Sequence, residues 1–90
     1  MEKPVASGEE DLRDPVAVVF GGVLRGRRRS AGLSQMALAE QSDLDRTYIS
    51  FLERGTRQPS LKVLLRLGRA LGSTASDLVQ EVEAQLHEGG

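Results

Sequence analysis

Helix-capping residues recur along this sequence and divide it into five short segments. The five residues are Asp14, Ser34, Asp45, Ser60 and Thr74. The side chain of such a residue accepts a hydrogen bond from a free backbone N–H in the first turn of a helix. Pro15 strengthens the first start, and Gly32, Gly55 and Gly72 stand where the first, third and fourth helices should end. No segment alternates apolar and polar residues as a half-buried strand would, so the sequence predicts a compact all-α domain of five helices.

Apolar residues repeat at helical spacing inside these segments. In the first helix the stripe runs from Val16 through Phe20 to Leu24, and its continuation reaches Arg27 and Arg28. One of these two arginines should therefore lie beside the core and need a partner. The other helices are expected to supply apolar contacts through Met36, Leu38, Ala39, Tyr48, Ile49, Leu52, Leu61, Leu64, Leu67, Leu71, Leu78, Val79, Val82 and Leu86.

Charge is distributed unevenly along the chain. The 90 residues carry a formal net charge of −1, which by itself argues against a polyanionic partner. Residues 1–14 carry −3 and residues 73–90 carry −4, whereas residues 15–72 hold ten bases against four acids and carry +6. The near-neutral total is a cancellation between segments. We interpret residues 1–14 as a flexible acidic tail and residues 15–88 as a basic folded domain with an acidic last helix.

The composition excludes several chemistries. The chain has no cysteine, and His87 is its single histidine, so a disulfide, a thiolate zinc site and a cysteine nucleophile are excluded and metal ligation is not expected. No glycine-rich phosphate loop or marked nucleophile points to catalysis. No apolar run approaches the length of a membrane-spanning helix, and the first residues do not form a secretion signal. We therefore expect a cytoplasmic protein without enzymatic activity, cofactor or membrane association.

The second and third predicted helices form the arrangement that points to function. Both are short, and about three residues, Ser42 to Leu44, join them within the basic segment. Such a pair places its second helix in the major groove of DNA. The run from Leu24 to Ala39 also resembles the "LRxxRxxxGLSQxxLA" signature of lambda-repressor-like, xenobiotic-response-element-type helix-turn-helix transcriptional regulators. The run from Tyr48 to Leu61 is similar to the "YISxLExGxRxPSL" of that family.

The resemblance implies a five-helix DNA-binding domain with the helix-turn-helix at helices 2 and 3, and sequence-specific binding of double-stranded DNA. Asp43 stands where the family usually has glycine, in a turn that tends to require a positive φ. Aspartate tolerates the left-handed conformation better than most residues, so we expect modest strain and an unchanged fold.

The outward side of the third helix carries the candidates for reading base edges. They are Arg46, Thr47, Ser50 and Asp45. Arg46 lies near the start of the helix, where an arginine can donate twice to guanine O6 and N7. Asp45 has a competing role as the N-cap, for which we expect the N–H of Tyr48 as its donor. Two roles are open for Phe51: it contacts a thymine methyl or a sugar, or it packs beneath a neighbouring side chain.

A second group of residues is expected to bind the DNA backbone. The group consists of Gln35, Arg54, Thr56, Arg57 and Arg28. In the resembled family the residue matching Gln35 binds the backbone and braces the recognition helix. Family members pair the residues that match Arg28 and Glu53 beside the DNA backbone, so the resemblance implies a partly buried ion pair here. We predict that this pair fixes the first helix against the third and leaves spare donors for a phosphate. Either diffuse attraction or ordinary surface charge is expected of Arg25, Arg27 and Arg29.

Members of the resembled family usually bind near-palindromic operators as two-fold dimers. The fifth helix, over residues 74–88, is longer than a single core requires. We predict a homodimer interface formed by Leu65, Val79, Val82 and Leu86. The alternative is that these residues only complete the core of the monomer.

Two classes of function remain after these arguments. The first is a DNA-binding regulator, whether a phage-type repressor, a controller protein of a restriction-modification system or a small stress or developmental regulator. The second is an antitoxin-like or other protein-interaction module built on the same fold. A steep fall of duplex affinity with salt concentration separates the first class from the second.

Overall fold

The helices lie where the capping residues predict them. The computed structural model describes residues 12–89, and its elements are α1 (Pro15–Ser30), α2 (Gln35–Ser42), α3 (Arg46–Glu53), α4 (Leu61–Ala70) and α5 (Ala75–Gly89). No strand occurs between residues 12 and 89, so the all-α class is confirmed. Of the acidic tail expected over residues 1–14, residues 1–11 lie outside the described range. None of the helices in that range is both long enough and apolar enough to cross a membrane.

All five predicted capping residues accept a backbone N–H. The two serines and Thr74 accept from the residue three positions further on, at 3.0–3.2 Å. The two aspartates accept from the residue two positions on, at 2.7 and 2.9 Å. The donor to Asp45 is therefore the N–H of Thr47 and not that of Tyr48, so the prediction was wrong on this point. The aspartates have ψ angles of 128° and 138°, against 167° and 168° at the serines, and this directs their carboxylates to the nearer N–H.

The turn between α2 and α3 depends on one left-handed residue. Asp43 has φ 59° and ψ 45°, and among residues 12–89 it is the single residue other than glycine with a positive φ. Its neighbour Leu44 donates its N–H to the carbonyl of Ala39 at 2.9 Å, which closes the end of α2. Aspartate thus adopts the conformation for which the family uses glycine, as the sequence predicts.

Residues from all five helices form one core, which is aliphatic except for Phe20 of α1. Its fully buried side chains include Leu24 of α1, Leu38 of α2, Ile49 and Leu52 of α3, Leu67 of α4 and Leu78 of α5. Four residues expected to make apolar contacts, Val16, Met36, Leu61 and Val79, are exposed instead. Val16 and Leu61 stand in the first turns of α1 and α4, where the helix end has fewer neighbours, and Met36 lies off the side of α2 that carries Leu38.

Gly21 sets the distance between α1 and α3. A Cβ atom at Gly21 would lie 2.5 Å from the carbonyl oxygen of Leu52 and 2.6 Å from that of Glu53, far inside van der Waals contact. At Gly22, one residue further along α1, a Cβ atom would meet nothing within 4 Å. The close approach at Gly21 allows the last turn of α3 to lie directly against α1.

Candidate nucleic-acid interface

The helix α3 divides its side chains between the core and the solvent. Ile49 and Leu52 are buried and Tyr48 is half-buried against the core. Arg46 and Thr47, in the first turn, are exposed, and Ser50 one turn later is partly exposed. Positions 46, 47 and 50 lie on one side of a helix because 3.6 residues complete a turn. The structure thus presents these three predicted base-reading residues together, whereas the carboxylate of Asp45 accepts the N–H of Thr47 at 2.9 Å.

A buried ion pair joins α1 to the end of α3. The Nε and Nη2 atoms of Arg28 donate to the two carboxylate oxygens of Glu53 at 2.6 and 3.0 Å, and Nη1 donates to the carbonyl of Leu33 at 2.9 Å. Arg28 is 8% exposed and Glu53 9%. The guanidinium is therefore largely used inside the protein. Arg25, whose Nε lies 3.8 Å from Glu53 and whose side chain is 54% exposed, is the cation that faces solvent beside the pair.

The environment of Glu53 keeps its carboxylate ionised. Burial is the largest influence and by itself raises the pKa, but hydrogen bonds from Arg28 and Gln35 and the positive charges of Arg28 and Arg25 together outweigh it. The pKa of Glu53 therefore lies below its usual value. Hydrogen bonding to the same carboxylate raises the pKa of Arg28, against a smaller opposing effect of burial. Both groups stay charged at neutral pH, so the pair persists.

Gln35 connects this ion pair to Arg46. Its Nε2 donates to Oε1 of Glu53 at 3.0 Å, and its Oε1 accepts from Nη1 of Arg46 at 3.2 Å. Since a carboxylate accepts but cannot donate, the contact with Glu53 fixes the orientation of the amide and turns its oxygen toward the guanidinium. A chain of hydrogen bonds thus runs from the core, through the first turn of α2, to the outer side of α3.

The residues that follow α3 gather around Phe51. The guanidinium carbons of Arg54 and Arg57 each lie 5.1 Å from the centre of the Phe51 ring. The carbonyl oxygen of Phe51 accepts both the N–H and the hydroxyl of Thr56, each at 3.1 Å. The ring of Phe51 thus packs beneath neighbouring side chains, as one of the two alternatives for this residue expects. Both of these donors of Thr56, an exposed residue, are therefore used within the chain in this structure.

Two other arginines have partners that the sequence did not reveal. Arg27 donates to Glu81 at 2.8 Å and to Ser73 at 3.3 Å, and so ties α1 to α5. Arg13 donates to the carbonyl of Arg54 at the end of α3. The apolar stripe of α1 indicated that Arg27 or Arg28 lies beside the core, but which acid each would meet depends on how the helices pack. Arg29 is exposed, as expected of a surface charge.

The residues predicted for a dimer interface fall into two groups. Leu65 and Val79 are 58% and 40% exposed, and they line a groove between α4 and α5 together with Leu61. Val82 is buried in the core, and Leu86 is half-buried and packs against it. The core of the monomer thus accounts for Val82 and Leu86, because α5 turns this side toward the other helices.

The match to a protein-family model decides the family. The model described as helix-turn-helix covers residues 24–78, which include α2, its turn and α3. The chain belongs to the helix-turn-helix family. The resemblance found in the two sequence signatures is thereby confirmed.

Relatives of this helix-turn-helix protein include controller proteins. It is 39% identical over 71 residues to "Control protein C.MunI" of Mycoplasma sp, a match covering 78% of this chain and 96% of that protein. It is 43% identical over 69 residues to "Control protein C.BamHI" of Bacillus amyloliquefaciens, with 76% and 85% of the two chains covered. The crystal structure of the restriction-modification controller protein C.AhdI from Aeromonas hydrophila superposes with a TM-score of 0.67 at 45% identity, covering 69% of this chain and 94% of that one.

Proposed function

We propose that this helix-turn-helix protein is a transcriptional regulator that binds double-stranded DNA sequence-specifically through the major groove, and that it is of the controller type. The observation that carries the proposal is the position of Arg46, which is exposed at the start of α3 and bonded to Gln35. An arginine held at the N-terminal end of a recognition helix can donate twice to guanine O6 and N7. Thr47 and Ser50 on the same side, and Asp45 beside them, complete the proposed base-reading set.

The proposed backbone contacts surround this set. Arg54 and Arg57 follow α3 as exposed cations, and Gln35 stands at the N-terminus of α2, where free N–H groups favour a phosphate oxygen. We propose that Thr56 and Arg28 act mainly through the structure: Thr56 holds the loop to Phe51, and Arg28 holds Glu53 and, through it, Gln35. Residues 15–72, which contain all of these groups, carry the charge of +6 that phosphate binding needs.

The extent of the matches supports the controller type. The aligned region takes in 96% of C.MunI and 94% of C.AhdI, so these proteins correspond to this chain over almost their whole length. We propose that the protein acts on transcription as such controllers do. This role calls for neither a cofactor nor a catalytic step, and it places the protein with its DNA in the cytoplasm.

Selection of bound duplexes from a random pool tests the proposal. We expect the enriched sequences to contain a guanine that Arg46 reads, and Arg46→Ala to weaken binding to the selected duplex by about 5- to 150-fold, which corresponds to about 1–3 kcal/mol. Affinity for a scrambled duplex should change much less. Arg29→Ala is the matched control, because it removes an exposed arginine from α1 and should lower affinity for both duplexes alike. Equal losses for the two duplexes with Arg46→Ala would contradict base reading.

We further propose a homodimer on a near-palindromic site, with the groove between α4 and α5 as its interface. Leu61, Leu65 and Val79 are exposed around this groove. Glu83 on α5 lines the same groove, and Lys62 and Arg66 on α4 line a neighbouring pocket that shares Leu65 with it, so charges of both signs lie beside the apolar residues. A two-fold axis through the groove brings the same apolar residues of two copies together and sets unlike charges near one another.

Leu65→Glu is expected to abolish this dimer. The substitution places a charge in the middle of the apolar surface without touching the buried core, since Leu65 is 58% exposed. Sedimentation at tens of micromolar should give a dimer for the wild type and a monomer for the variant. Leu12→Glu, at an 86% exposed leucine away from the groove, is the control and should leave the dimer intact. A wild-type monomer at that concentration would rule out the interface.

A further inference from the structure

Phe51 is a large apolar residue on the solvent side of α3. It is only partly buried and does not belong to the cluster that forms the core, to which α3 contributes Ile49 and Leu52. A phenylalanine in this position gains less from burial than a core residue does. The side chain of Phe51 must therefore be stabilised by contacts outside the core.

Phe51 makes several contacts with the segment that follows α3. The guanidinium groups of Arg54 and Arg57 lie over the ring, each with its carbon 5.1 Å from the ring centre. The backbone carbonyl of Phe51 accepts hydrogen bonds from both the N–H and the hydroxyl of Thr56. One residue thus holds three of the next six, with Gly55 at φ 75° allowing the chain to turn back between them.

The two arginines need such a support. Each has a long side chain that loses much rotamer freedom when it binds a phosphate in one geometry. The negative face of an aromatic ring attracts a guanidinium and restricts it before binding. Two cations that share one ring also repel each other, and an anion that bridges them removes this repulsion. Among the described residues, no hydrogen-bond acceptor and no acidic side chain contacts the guanidinium group of Arg54 or that of Arg57.

We propose that Phe51 is a positioning residue that holds Arg54 and Arg57 together as a binding site for a phosphodiester group of duplex DNA. Thr56 belongs to this site as the residue that fixes the loop between the two arginines and not as a phosphate ligand. The proposal rests on the proposed DNA-binding function and assigns to Phe51 a role that does not involve a base. It differs in this from the other reading of Phe51, a contact with a thymine methyl.

A double-mutant cycle on duplex binding tests the proposal. The probes are a mixed-sequence duplex of about 30 base pairs and the same duplex with uracil in place of every thymine. We expect Phe51→Leu to weaken binding to both probes by about tenfold at low salt, and Phe51→Tyr, which keeps the ring, to recover most of the affinity. In an Arg54→Gln/Arg57→Gln background, Phe51→Leu should cost nothing further, because the groups that it positions are gone.

A signature of the ring contact itself comes from NMR. The δ-methylene protons of Arg54 and Arg57 should resonate upfield of their usual positions in the wild type and return to them in Phe51→Leu. Ordinary chemical shifts for these δ-methylene protons in the wild type would contradict the stacking of the two guanidinium groups on the ring. The positioning role would be overturned in favour of a direct contact with DNA if Phe51→Leu lost less affinity for the uracil duplex than for the thymine duplex. It would also be overturned if Phe51→Leu still lost affinity in the Arg54→Gln/Arg57→Gln background. A lower melting temperature for Phe51→Leu, with unchanged duplex affinity of the folded variant, would also overturn the positioning role. Salt-independent binding of DNA by the wild type would instead refute the proposed function.

Discussion

Arg28→Ala is expected to lower the free energy of unfolding by about 3–5 kcal/mol, because it leaves the carboxylate of Glu53 buried without its main partner. The pair is buried on both sides and bidentate, with distances of 2.6 and 3.0 Å. The same variant removes the hydrogen bond to the carbonyl of Leu33, which holds the turn before α2. For a domain of this size, the loss corresponds to a fall in melting temperature of more than about 12 °C.

Arg28→Ala should also weaken DNA binding at temperatures where the variant is still folded. Glu53 no longer has a fixed position, so it no longer fixes the amide of Gln35, and Gln35 no longer orients Arg46. Thermal denaturation followed by circular dichroism, together with duplex affinity at low temperature, measures both effects. Arg29→Ala, at the next and exposed residue of α1, should change the stability by less than about 0.5 kcal/mol. An unchanged melting temperature for Arg28→Ala would contradict a structural role of the ion pair.

The pair also gives the stability a characteristic dependence on pH. The pKa of Glu53 is lower in the folded chain than its usual value, despite the opposing effect of burial, because Arg28 and Gln35 donate to the carboxylate. Its contribution is thus complete above about pH 4.3, where an exposed glutamate titrates, and is lost as the pH falls through the lower pKa of the folded state. The difference in melting temperature between the wild type and Glu53→Gln should shrink in that window. Asp77, whose pKa is lowered by hydrogen bonds from Ser73 and Thr74, titrates in both proteins and cancels in this difference.

The sequence predicted the parts of this protein that depend on local chemistry. Caps such as Ser34 and Ser60, and the glycine after α1, act within one turn of the chain, so they could be read without knowing the packing. The left-handed conformation of Asp43 was expected from the family resemblance, because the family usually has glycine at this position. The pairing of Arg28 with Glu53 rested on the family resemblance, because nothing local links two residues 25 positions apart.

Features that arise only from packing were not predictable. Arg27 meets Glu81, 54 residues away, because α5 lies against α1. Val82 was expected at an interface and lies in the core, since α5 turns that side inward. The glycines of α1 all read as weak helix formers, and the sequence gives no reason to distinguish one from another. In the folded protein, backbone carbonyls of α3 leave no room for a side chain at Gly21, whereas Gly22 faces open space.

Gly21→Ala is therefore expected to destabilise the protein by about 3 kcal/mol, near the upper end of what overpacking costs. The added methyl would lie 2.5 and 2.6 Å from two backbone carbonyl oxygens, and neither belongs to a side chain that could rotate away. The end of α3 would have to move by about 1 Å to restore ordinary contact distances. This end carries Glu53, so the movement would disturb the ion pair with Arg28 and the contact with Gln35.

Gly22→Ala is the matched control, with an expected effect of opposite sign. A methyl at Gly22 would point into open space, so the substitution only improves helix propensity and should stabilise the protein by about 0.5–1 kcal/mol. Urea denaturation of the two variants measures the difference, and equal effects at the two positions would contradict the close approach of α1 and α3. Because Gly21 contacts the residue that orients Gln35, duplex affinity of folded Gly21→Ala should also fall, whereas that of Gly22→Ala should stay at the wild-type value. The distance between α1 and α3 would then be a requirement of DNA binding as well as of folding.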